Sequence, residues 1–330
     1  MPIKSRKPWL LLPHCPPQHR LTLNNLKFKS KTSGGFNNKP PDVSKDKNMK
    51  LLKILIIALI SLTVMACSIS VNVPTVDTSF SRTLEISEPA FSDVDDNKVI
   101  IEMGAGRLYI STGASNLING TVEYNVEDWK PEISRSSNTV SVSQKNSSNT
   151  GIPSGNIQND WNLQLGDDLI NLTINAGAYE GKIDLSGLSI TKLQIADGAS
   201  KSTIHFDTLN PVEMDEISYK TGASDIELLG LGNANTKNIY FASGVGSYTL
   251  DFSGDIQDDI NVRIQSGMSD MTIIIPDNAR AKVELNNGLS NIDATGTWTI
   301  SGSTYECGTS GPLITINLDM AIGNLQLKQQ

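Results

Sequence analysis

Few residues in this sequence combine the types and the spacing that enzymatic chemistry requires. Two carboxylate doublets, Asp167-Asp168 and Asp258-Asp259, could supply the paired acids that cleave polysaccharides. Such a pair works only when its two carboxyl groups lie within about 10 Å of each other. The doublets are far apart in the sequence, and adjacent residues of one strand point to opposite faces. We therefore interpret both doublets as solvated turn residues and predict no catalytic residue.

One histidine and one cysteine are the remaining candidates for metal or nucleophilic chemistry in the second half of the chain. His205 lies between Ile204 and Phe206, so strand alternation turns its ring outward, and no second His or Cys accompanies it. Cys307 is interpreted as a partly buried free thiol. The glycine-rich repeat of calcium-binding β-rolls is missing, so we predict neither a metal nor a cofactor. Core or cap packing is favoured over a sugar-stacking platform for three tryptophans, Trp129, Trp161 and Trp298.

The formal net charge of −8 conceals two oppositely charged parts of the chain. Residues 1–66 hold 12 basic and 2 acidic side chains, whereas residues 67–330 hold 15 basic and 33 acidic ones. Nonspecific binding to nucleic acid requires clustered Lys and Arg, so the acidic part excludes a nucleic-acid partner. Hydrophobic residues make up 38% of the sequence, which is enough for a folded core, and three cysteines are too few for a disulfide-stapled scaffold.

Residues 49–66 have the layout of a secretory signal, with a short basic start, an apolar run over 54–64 and a small residue before a cysteine. The apolar run is shorter than the ~20 residues that a membrane-spanning helix needs. The string Val64-Met65-Ala66-Cys67 resembles the bacterial lipobox. This resemblance implies cleavage before Cys67 and attachment of a diacylglycerol to its thiol, and a retained N-terminal anchor is the alternative.

The segments on either side of this signal differ in kind. Residues 1–48 are rich in Lys, Pro, Asn and Ser without apolar periodicity, and we interpret them as upstream sequence or a disordered extension. Residues 67–92 contain Ser, Thr and two prolines with only weak alternation, which is typical of a tether. The chain is therefore expected to be lipid-anchored to a bacterial cell membrane, on its extracytoplasmic side.

A repeat organises the rest of the chain. Related strings such as Gly-Ala-Ser and Gly-Met-Ser-Asp recur at a nearly constant interval of about 22 residues, a length typical of one structural repeat. Apolar residues stand five and three positions before nearly every glycine, which is strand periodicity. The glycine suits a corner that needs positive φ or close backbone approach, and the serine can hydrogen-bond to its equivalent in the next copy. The repeated glycines are Gly177, Gly198, Gly222, Gly244, Gly267, Gly288 and Gly308, with an earlier copy at Gly113.

A unit of about 22 residues cannot bury its apolar side alone, but stacked copies can, with strands about 4.8 Å apart. The repeat therefore predicts an all-β fold, a single-stranded parallel β-solenoid (β-helix) over residues 151–330. Residues 93–150 are expected to form an N-terminal cap, either antiparallel or as two degenerate coils, and residues 134–157 a long loop. The polar C-terminus, 325–330, is expected to close the last coil.

Three strings, MGAGRLYISTGAS at 103–115, GTVEY at 120–124 and WKPE at 129–132, resemble the bacterial toast-rack family. They are also similar to the C-terminal domain of cell-wall-active antibiotic response proteins, and the repeats from Gly177 onward are similar to GIN-type candidate adhesin domains. The resemblance covers about residues 93–330. It implies an extracytoplasmic β-solenoid and, for some members, a role in envelope-stress signalling, and it implies no catalytic residues.

Together these observations favour a non-catalytic bacterial envelope lipoprotein that presents a rigid, acidic β-solenoid for adhesion, scaffolding or envelope sensing. The alternative is a polysaccharide-binding or polysaccharide-degrading β-helix protein. The expected partners are the membrane, through the lipid on Cys67, and an envelope protein or glycan, but not nucleic acid. Cys67 is the single site residue that the sequence predicts.

Overall fold

The computed structural model describes residues 77–92, 94, 96–144, 156–286, 288 and 291–330. They all belong to the second of two compact units, Val71–Gln330, and the first unit, Met1–Ser70, lies outside them. The expected extension 1–48, the signal 49–66 and the lipidation site Cys67 therefore lie outside the described residues. Within the described ranges, no helix is both long and apolar enough to cross a membrane.

The described residues confirm the all-β prediction. They form sixteen strands in one sheet, and their helical content is limited to two single 3-10 turns, Glu127–Trp129 and Leu231–Ala234. The strands are β1 (Arg82–Glu88), β2 (Asn97–Thr112), β3 (Ile118–Tyr124), β4 (Pro131–Ser136), β5 (Thr139–Gln144), β6 (Asn159–Leu165), β7 (Ile170–Asp184), β8 (Ile190–His205), β9 (Ile217–Leu229), β10 (Asn238–Asp251), β11 (Ile260–Ile275), β12 (Arg280–Leu285), β13 (Asn291–Thr295), β14 (Thr299–Ser301), β15 (Thr304–Cys307) and β16 (Leu313–Gln329).

Seven long strands make up the centre of the sheet, in the spatial order β2-β7-β8-β9-β10-β11-β16, and every neighbouring pair is parallel. From β7 to β11 each strand pairs with its successor among these long strands. One row of paired residues shows the register, because each of its members stands five positions before its own repeat glycine: Leu172, Leu193, Ile217, Ile239 and Val262. Equivalent residues of successive repeats therefore lie side by side on neighbouring strands.

Each long strand buries alternate residues because its side chains point to opposite faces in turn. From β7 to β11, the residues five and three positions before the repeat glycine and six positions after it are all buried. Ile264, in the first half of β11, is fully buried and pairs with Phe241 and Leu318 on its two neighbouring strands. Burying one such side chain contributes about 1.5–3 kcal/mol, so the columns together supply the core that a single repeat lacks.

The repeat glycines stand where the backbones of neighbouring long strands approach too closely for a side chain. In β7, β8 and β9 the glycine and the residue after it are both exposed, so the alternation of buried and exposed residues is interrupted there. We call this position the glycine corner. A Cβ atom added to Gly244 would lie 2.5 Å from the Gly222 carbonyl oxygen, and one added to Gly267 would lie 2.5 Å from that of Gly244. Neither Gly244 nor Gly267 has positive φ. Close backbone approach is therefore the reason for glycine here.

Gly113 and Gly308 are not part of this stack, contrary to the sequence prediction. They have positive φ angles of 93° and 77° and lie in the turns that follow β2 and β15. The residue of β2 that Gly177 stacks against is Gly104. The apolar residues before Gly113 belong to the second half of β2, where Ile110 pairs with Ile183. Apolar and polar residues alternate in both halves of a long strand. The sequence pattern therefore matched the second half of β2 to the first halves of the later strands.

The C-terminal strand β16 lies inside the sheet, which corrects the prediction that it closes the last coil. It pairs with β11 along one side and with β12 and β13 along the other. Ile316 of β16 therefore lies between Val262 of β11 and Val283, the counterpart of Val262 in the next repeat. The copy at Gly288 stacks outside β16, and a Cβ atom added to Gly288 would meet the Ala321 carbonyl oxygen.

Both halves of β2 are covered on the side opposite β7. The first half pairs in parallel with β5 and the second half with β6. β4 then pairs antiparallel with β5, and β3 pairs antiparallel with both β6 and β1. The region 134–157, for which the sequence predicts a loop, thus begins with part of a β4–β5 hairpin, and β1 lies inside the segment 67–92, for which it predicts a tether.

Replacing Gly244 with alanine should destabilise the fold, because the added methyl group would press on the Gly222 carbonyl oxygen. We expect Gly244→Ala to lower the free energy of unfolding by about 1–3 kcal/mol in urea denaturation. Gly104→Ala is the matched control, since its methyl group would meet only the flexible Gln144 side chain, at 3.1 Å. Equal losses in the two variants would contradict the close-approach explanation.

Candidate functional site

Both carboxylate doublets lie in connections between strands. Asp167-Asp168 precedes β7, and Asp258-Asp259 precedes β11. Asp258 Oδ2 is 3.5 Å from Lys237 Nζ, and Asp259 Oδ1 accepts a hydrogen bond of 2.7 Å from the Leu313 backbone N–H. Since β7 and β11 are four strand steps apart, the doublets are separated by about 19 Å at the usual strand spacing. The structure does not bring them together, and Asp259 instead holds the start of β16.

His205, the last residue of β8, has a half-buried ring between two carboxylates. Its Nδ1 atom is 3.3 Å from Asp207 Oδ2 and 3.7 Å from Asp184 Oδ1, and Asp184 is its paired residue on β7. Among the described residues, no three His, Cys, Asp or Glu side chains are grouped as a metal ion requires. His205 therefore makes surface contacts with two neighbouring aspartates.

Cys307 and the tryptophans contribute to packing. Cys307 is buried and forms no disulfide, and burial raises the pKa of its thiol to about 11, which keeps it protonated at neutral pH. Trp161 is fully buried in β6 and donates its Nε1–H to Asn159 Oδ1 at 2.9 Å. Trp298 packs against the core, and Trp129 lies half-buried in a 3-10 turn. A buried Trp161 cannot offer its ring to a sugar, so the three do not act as one platform.

A group of polar side chains fills the inner side of the glycine corner in β7, β8 and β9. At its centre, Asp197 Oδ2 accepts a hydrogen bond of 2.8 Å from Tyr219 Oη, and Asp197 Oδ1 accepts one from Thr221 Oγ1. Ser200 Oγ donates to Ser224 Oγ at 3.0 Å, which confirms the predicted serine contact between successive repeats. We call this group the corner cluster; its members are Tyr179, Asp197, Ser200, Ser202, Tyr219, Thr221 and Ser224.

Two buried phenols complete the corner cluster. Tyr179 Oη lies 3.4 Å from Tyr219 Oη and 3.3 Å from Ser202 Oγ. Burial raises the pKa of Tyr179, and burial, with the nearby Tyr179 and Asp197, holds the pKa of Tyr219 well above its usual 10.0. Both phenols therefore remain hydrogen-bond donors, and the cluster joins hydroxyl groups around one carboxylate.

The outer side of the glycine corner carries a column of apolar residues, one from each long strand, directly after the corner position. The first four strands contribute alanine, whereas β10, β11 and β16 contribute Val245, Met268 and Ile322. These three are paired in register and are 54%, 56% and 46% exposed. We call the whole set the corner column; its members are Ala105, Ala178, Ala199, Ala223, Val245, Met268 and Ile322.

A second outer surface combines an aromatic ring with carboxamides. Tyr240 of β10 donates its Oη–H to Gln265 Oε1 at 2.8 Å, and Lys220 Nζ is 5.7 Å from the centre of the tyrosine ring. Carboxamides donate and accept hydrogen bonds, and a ring face packs against apolar C–H surface, so such groups can bind a sugar. The ring borders a cavity of about 310 Å³ whose polar lining is Glu216, Asn238, Tyr240, Asn261, Arg263 and Asn317.

Interpreting Gly-x-Ser as turn chemistry alone misses the corner cluster and the corner column. The signal for the column is the middle residue of that string, which changes from Ala to Met along the repeat. Ile322 carries no such signal, because Ala321 stands where its neighbours have glycine. The signal for the cluster is a polar residue directly before the glycine, as in Asp197 and Thr221.

Alkaline pH should destabilise the fold through the buried phenols. The unfolded chain releases phenolic protons near pH 10, whereas the folded chain retains that of Tyr219 to higher pH, so stability falls as the pH rises above 10. We expect Tyr219→Phe to flatten this fall and to cost about 1 kcal/mol at neutral pH, through the lost hydrogen bond to Asp197. Urea denaturation at several pH values measures both effects. The half-exposed Tyr240→Phe is the control, and an unchanged slope in Tyr219→Phe would contradict the assignment.

Comparison with solved structures finds proteins of similar extent and low identity. A "putative cell adhesion protein" from Clostridium sporogenes ATCC 15579 shares 20% identity at a TM-score of 0.44, over 76% of this chain and 99% of that one. A "putative adhesin" from Bacteroides fragilis NCTC 9343 shares 10% identity at a TM-score of 0.35, over 77% and 99%. A "putative adhesin" from Parabacteroides merdae ATCC 43184 shares 10% identity at a TM-score of 0.32, over 77% and 98%.

No curated protein matches the chain. A family comparison does: residues 74–215 and 208–274 match the family described as "N-terminal domain of toast_rack, DUF2154". The two matches overlap and together extend from before β1 into the second half of β11, which is more than half of the chain. They include every strand from β2 to β10, and with them both sides of the glycine corner. On this evidence the chain belongs to the toast-rack family.

Proposed function

We propose that this chain is a non-catalytic bacterial envelope lipoprotein whose folded part presents a rigid surface for adhesion, scaffolding or envelope sensing. The observation that carries the proposal is the parallel pairing of long strands at a nearly constant interval along the chain. This pairing holds surface side chains in straight columns that continue from strand to strand. A repeated surface of this kind suits an extended partner better than a small substrate.

The finer architecture in this proposal is a single-stranded parallel β-solenoid with coils of about 22 residues and an N-terminal cap. The four register steps from β7 to β11 support that coil length, because each equals the interval between two successive repeat glycines. The antiparallel strands β3 and β4, which cover β6 and β5, support a cap on the β2 side. The charge supports an acidic surface, with 33 acidic and 15 basic side chains over residues 67–330.

The contacts of the reactive side chains support binding over catalysis. His205 is engaged by two aspartates, and Cys307 is buried as a thiol. The carboxylate doublets lie in separate connections, four strand steps apart. A general acid and its partner need to face one reacting bond, whereas the carboxylate doublets lie in separate connections and the Cys307 thiol lies inside the core.

In this proposal, a lipid on Cys67 anchors the protein to the bacterial cell membrane. The lipobox-like string Val64-Met65-Ala66-Cys67 supports it, and so does the apolar run before that string. Acyl chains contribute about 0.8 kcal/mol per buried methylene, so a diacylated cysteine holds a chain at the bilayer without a spanning helix. The acidic part would be repelled by anionic headgroups, which leaves its surface directed away from the membrane.

Removing the Cys67 thiol should abolish anchoring, because the lipid is bonded to that sulfur atom. In bacterial cells supplied with labelled palmitate, the full chain should carry label and stay in the membrane fraction, whereas Cys67→Ser should carry none. Cys307→Ser is the matched control and should behave as the unaltered chain. Labelled Cys67→Ser protein, or a mature chain whose mass places its first residue elsewhere, would contradict the anchor.

Polysaccharide binding is the second candidate function, and Tyr240 is the observation that favours it. Its ring is held by Gln265 and Lys220 beside a cavity lined by carboxamides and Arg263. Asn238 and Asn261 are paired in register on β10 and β11, so equivalent hydrogen-bonding groups repeat along the sheet. A polymer lying across the strands would meet them in succession.

If this surface binds a glycan, Tyr240→Ala should weaken binding about tenfold, because the sugar loses its ring contact. Binding is measured by affinity electrophoresis of the full chain against bacterial envelope glycans and pectin-like polymers. Tyr109→Ala is the control, since Tyr109 is also a surface tyrosine, on the far strand β2. A glycan bound equally well by the native chain and Tyr240→Ala would exclude this surface, and product formation from a bound polymer would contradict the non-catalytic proposal.

A further inference from the structure

We propose that the large end of the corner column, formed by Val245, Met268 and Ile322, is a docking site for a basic segment of a partner protein that also carries apolar side chains. This inference rests on the proposed function, since it names the class of partner that the presented surface binds. It concerns a different surface from the cavity beside Tyr240.

Exposed apolar side chains are common singly and informative when they are contiguous. Val245, Met268 and Ile322 are each about half exposed and occupy neighbouring strands β10, β11 and β16. At a strand spacing of about 4.8 Å, the three side chains form one continuous ridge. The same column holds only alanine in β2, β7, β8 and β9, so the ridge is confined to one end of the sheet.

The ridge projects from the surface because the residues beside it have small side chains, so a partner can reach it. The corner positions beside it are Gly244, Gly267 and Ala321, which have little or no side chain. Its backbone is fixed by parallel pairing on both sides of β10, β11 and β16. Methionine adapts its flexible side chain to different apolar partners, and a rigid support lowers the entropic cost of binding.

Acidic and neutral polar residues flank the ridge on both sides. Asp319 of β16 lies before the corner, and Asp270 of β11 lies after it; both are exposed. Asp270 Oδ1 accepts a hydrogen bond of 2.6 Å from Asn324 Nδ2, which ties its carboxylate to the β16 residue two positions after Ile322. Two cations also lie before the corner: Lys220 of β9 has its Nζ atom 5.7 Å from the centre of the Tyr240 ring, and Arg263 of β11 lines the cavity beside that ring. An apolar ridge between carboxylates is complementary to apolar side chains flanked by Lys or Arg.

The same charges disfavour two other occupants. A second copy docked through its own corner column would bring the carboxylates of both copies, Asp270 and Asp319, into one contact, and like charges in a desolvated contact are costly. An anionic membrane would meet the same repulsion from its headgroups.

The test uses the purified full chain and two labelled peptides, one alternating lysine and leucine and one alternating glutamate and leucine. In fluorescence anisotropy, we expect the lysine peptide to bind at least about tenfold more tightly, and its affinity to fall as salt is added. Met268→Ser and Ile322→Ser should each weaken that binding about tenfold, because each removes an exposed apolar contact. Ala178→Ser, at the alanine end of the same column, is the matched control and should bind as the native chain does.

Equal affinity for the two peptides, or unchanged binding in both serine variants, would overturn the proposal. So would a dimer in sedimentation velocity that Met268→Ser abolishes, which would assign the ridge to a second copy. Flotation with phosphatidylglycerol vesicles that depends on Met268 would assign it to the membrane, and Cys67→Ser protein is used in that arm to exclude anchoring. Palmitate labelling is independent of all these outcomes, so failure of the docking site and failure of the proposed anchor are distinguishable.

Discussion

At the glycine corner, the repeat glycine of each strand from β7 to β11 rests against a carbonyl oxygen of the strand beside it, with no room for a Cβ atom. This contact sets the register of the sheet. A slip of one residue would bring a side chain into the space of the carbonyl oxygen and would turn every buried residue outward. Apolar columns add the free energy of burial, but alternating apolar residues tolerate a shift by two, and only the glycine distinguishes one alignment from another.

The close backbone approach at the glycine corner also explains why polar side chains are buried and apolar side chains are exposed beside it. Interrupted alternation leaves a narrow inner space beside the glycines, where hydroxyl groups fit and bond to each other from strand to strand. Asp197 is tolerated there because Tyr219 and Thr221 donate to it. On the outer side, the absence of side chains at the corner leaves the next residue prominent. The exposed corner column and the buried corner cluster thus both result from the backbone conformation at the glycine corner.

Local spacing predicted the strands from β7 to β11 and their register, because each pairs with its nearest neighbour in the repeat. It did not predict the place of β16, since nothing in the sequence of 313–329 distinguishes pairing with β11 from pairing beyond Gly288. Gly113 and Gly308 were misassigned because a glycine in a turn and a glycine under close approach look alike in sequence. Met268 was missed because its string, Gly267-Met268-Ser269, was interpreted as turn chemistry, and Tyr240 was missed because its outward-facing position carries no periodic signal. Which exposed residues lie together on a surface depends on the pairing of strands that are distant in sequence. Residue spacing alone does not predict that pairing.

Because the seventeen-residue strand β16 is the last strand in the sequence but lies inside the sheet, the sheet can be completed only after β16 has been synthesised. β11 is complete long before its neighbour emerges, and until then β11, β12 and β13 each lack the strand that joins them. Such late, non-local pairing slows folding. Loss of β16 would therefore separate strands β1–β11 from the four short strands β12–β15 and leave both groups with open edges.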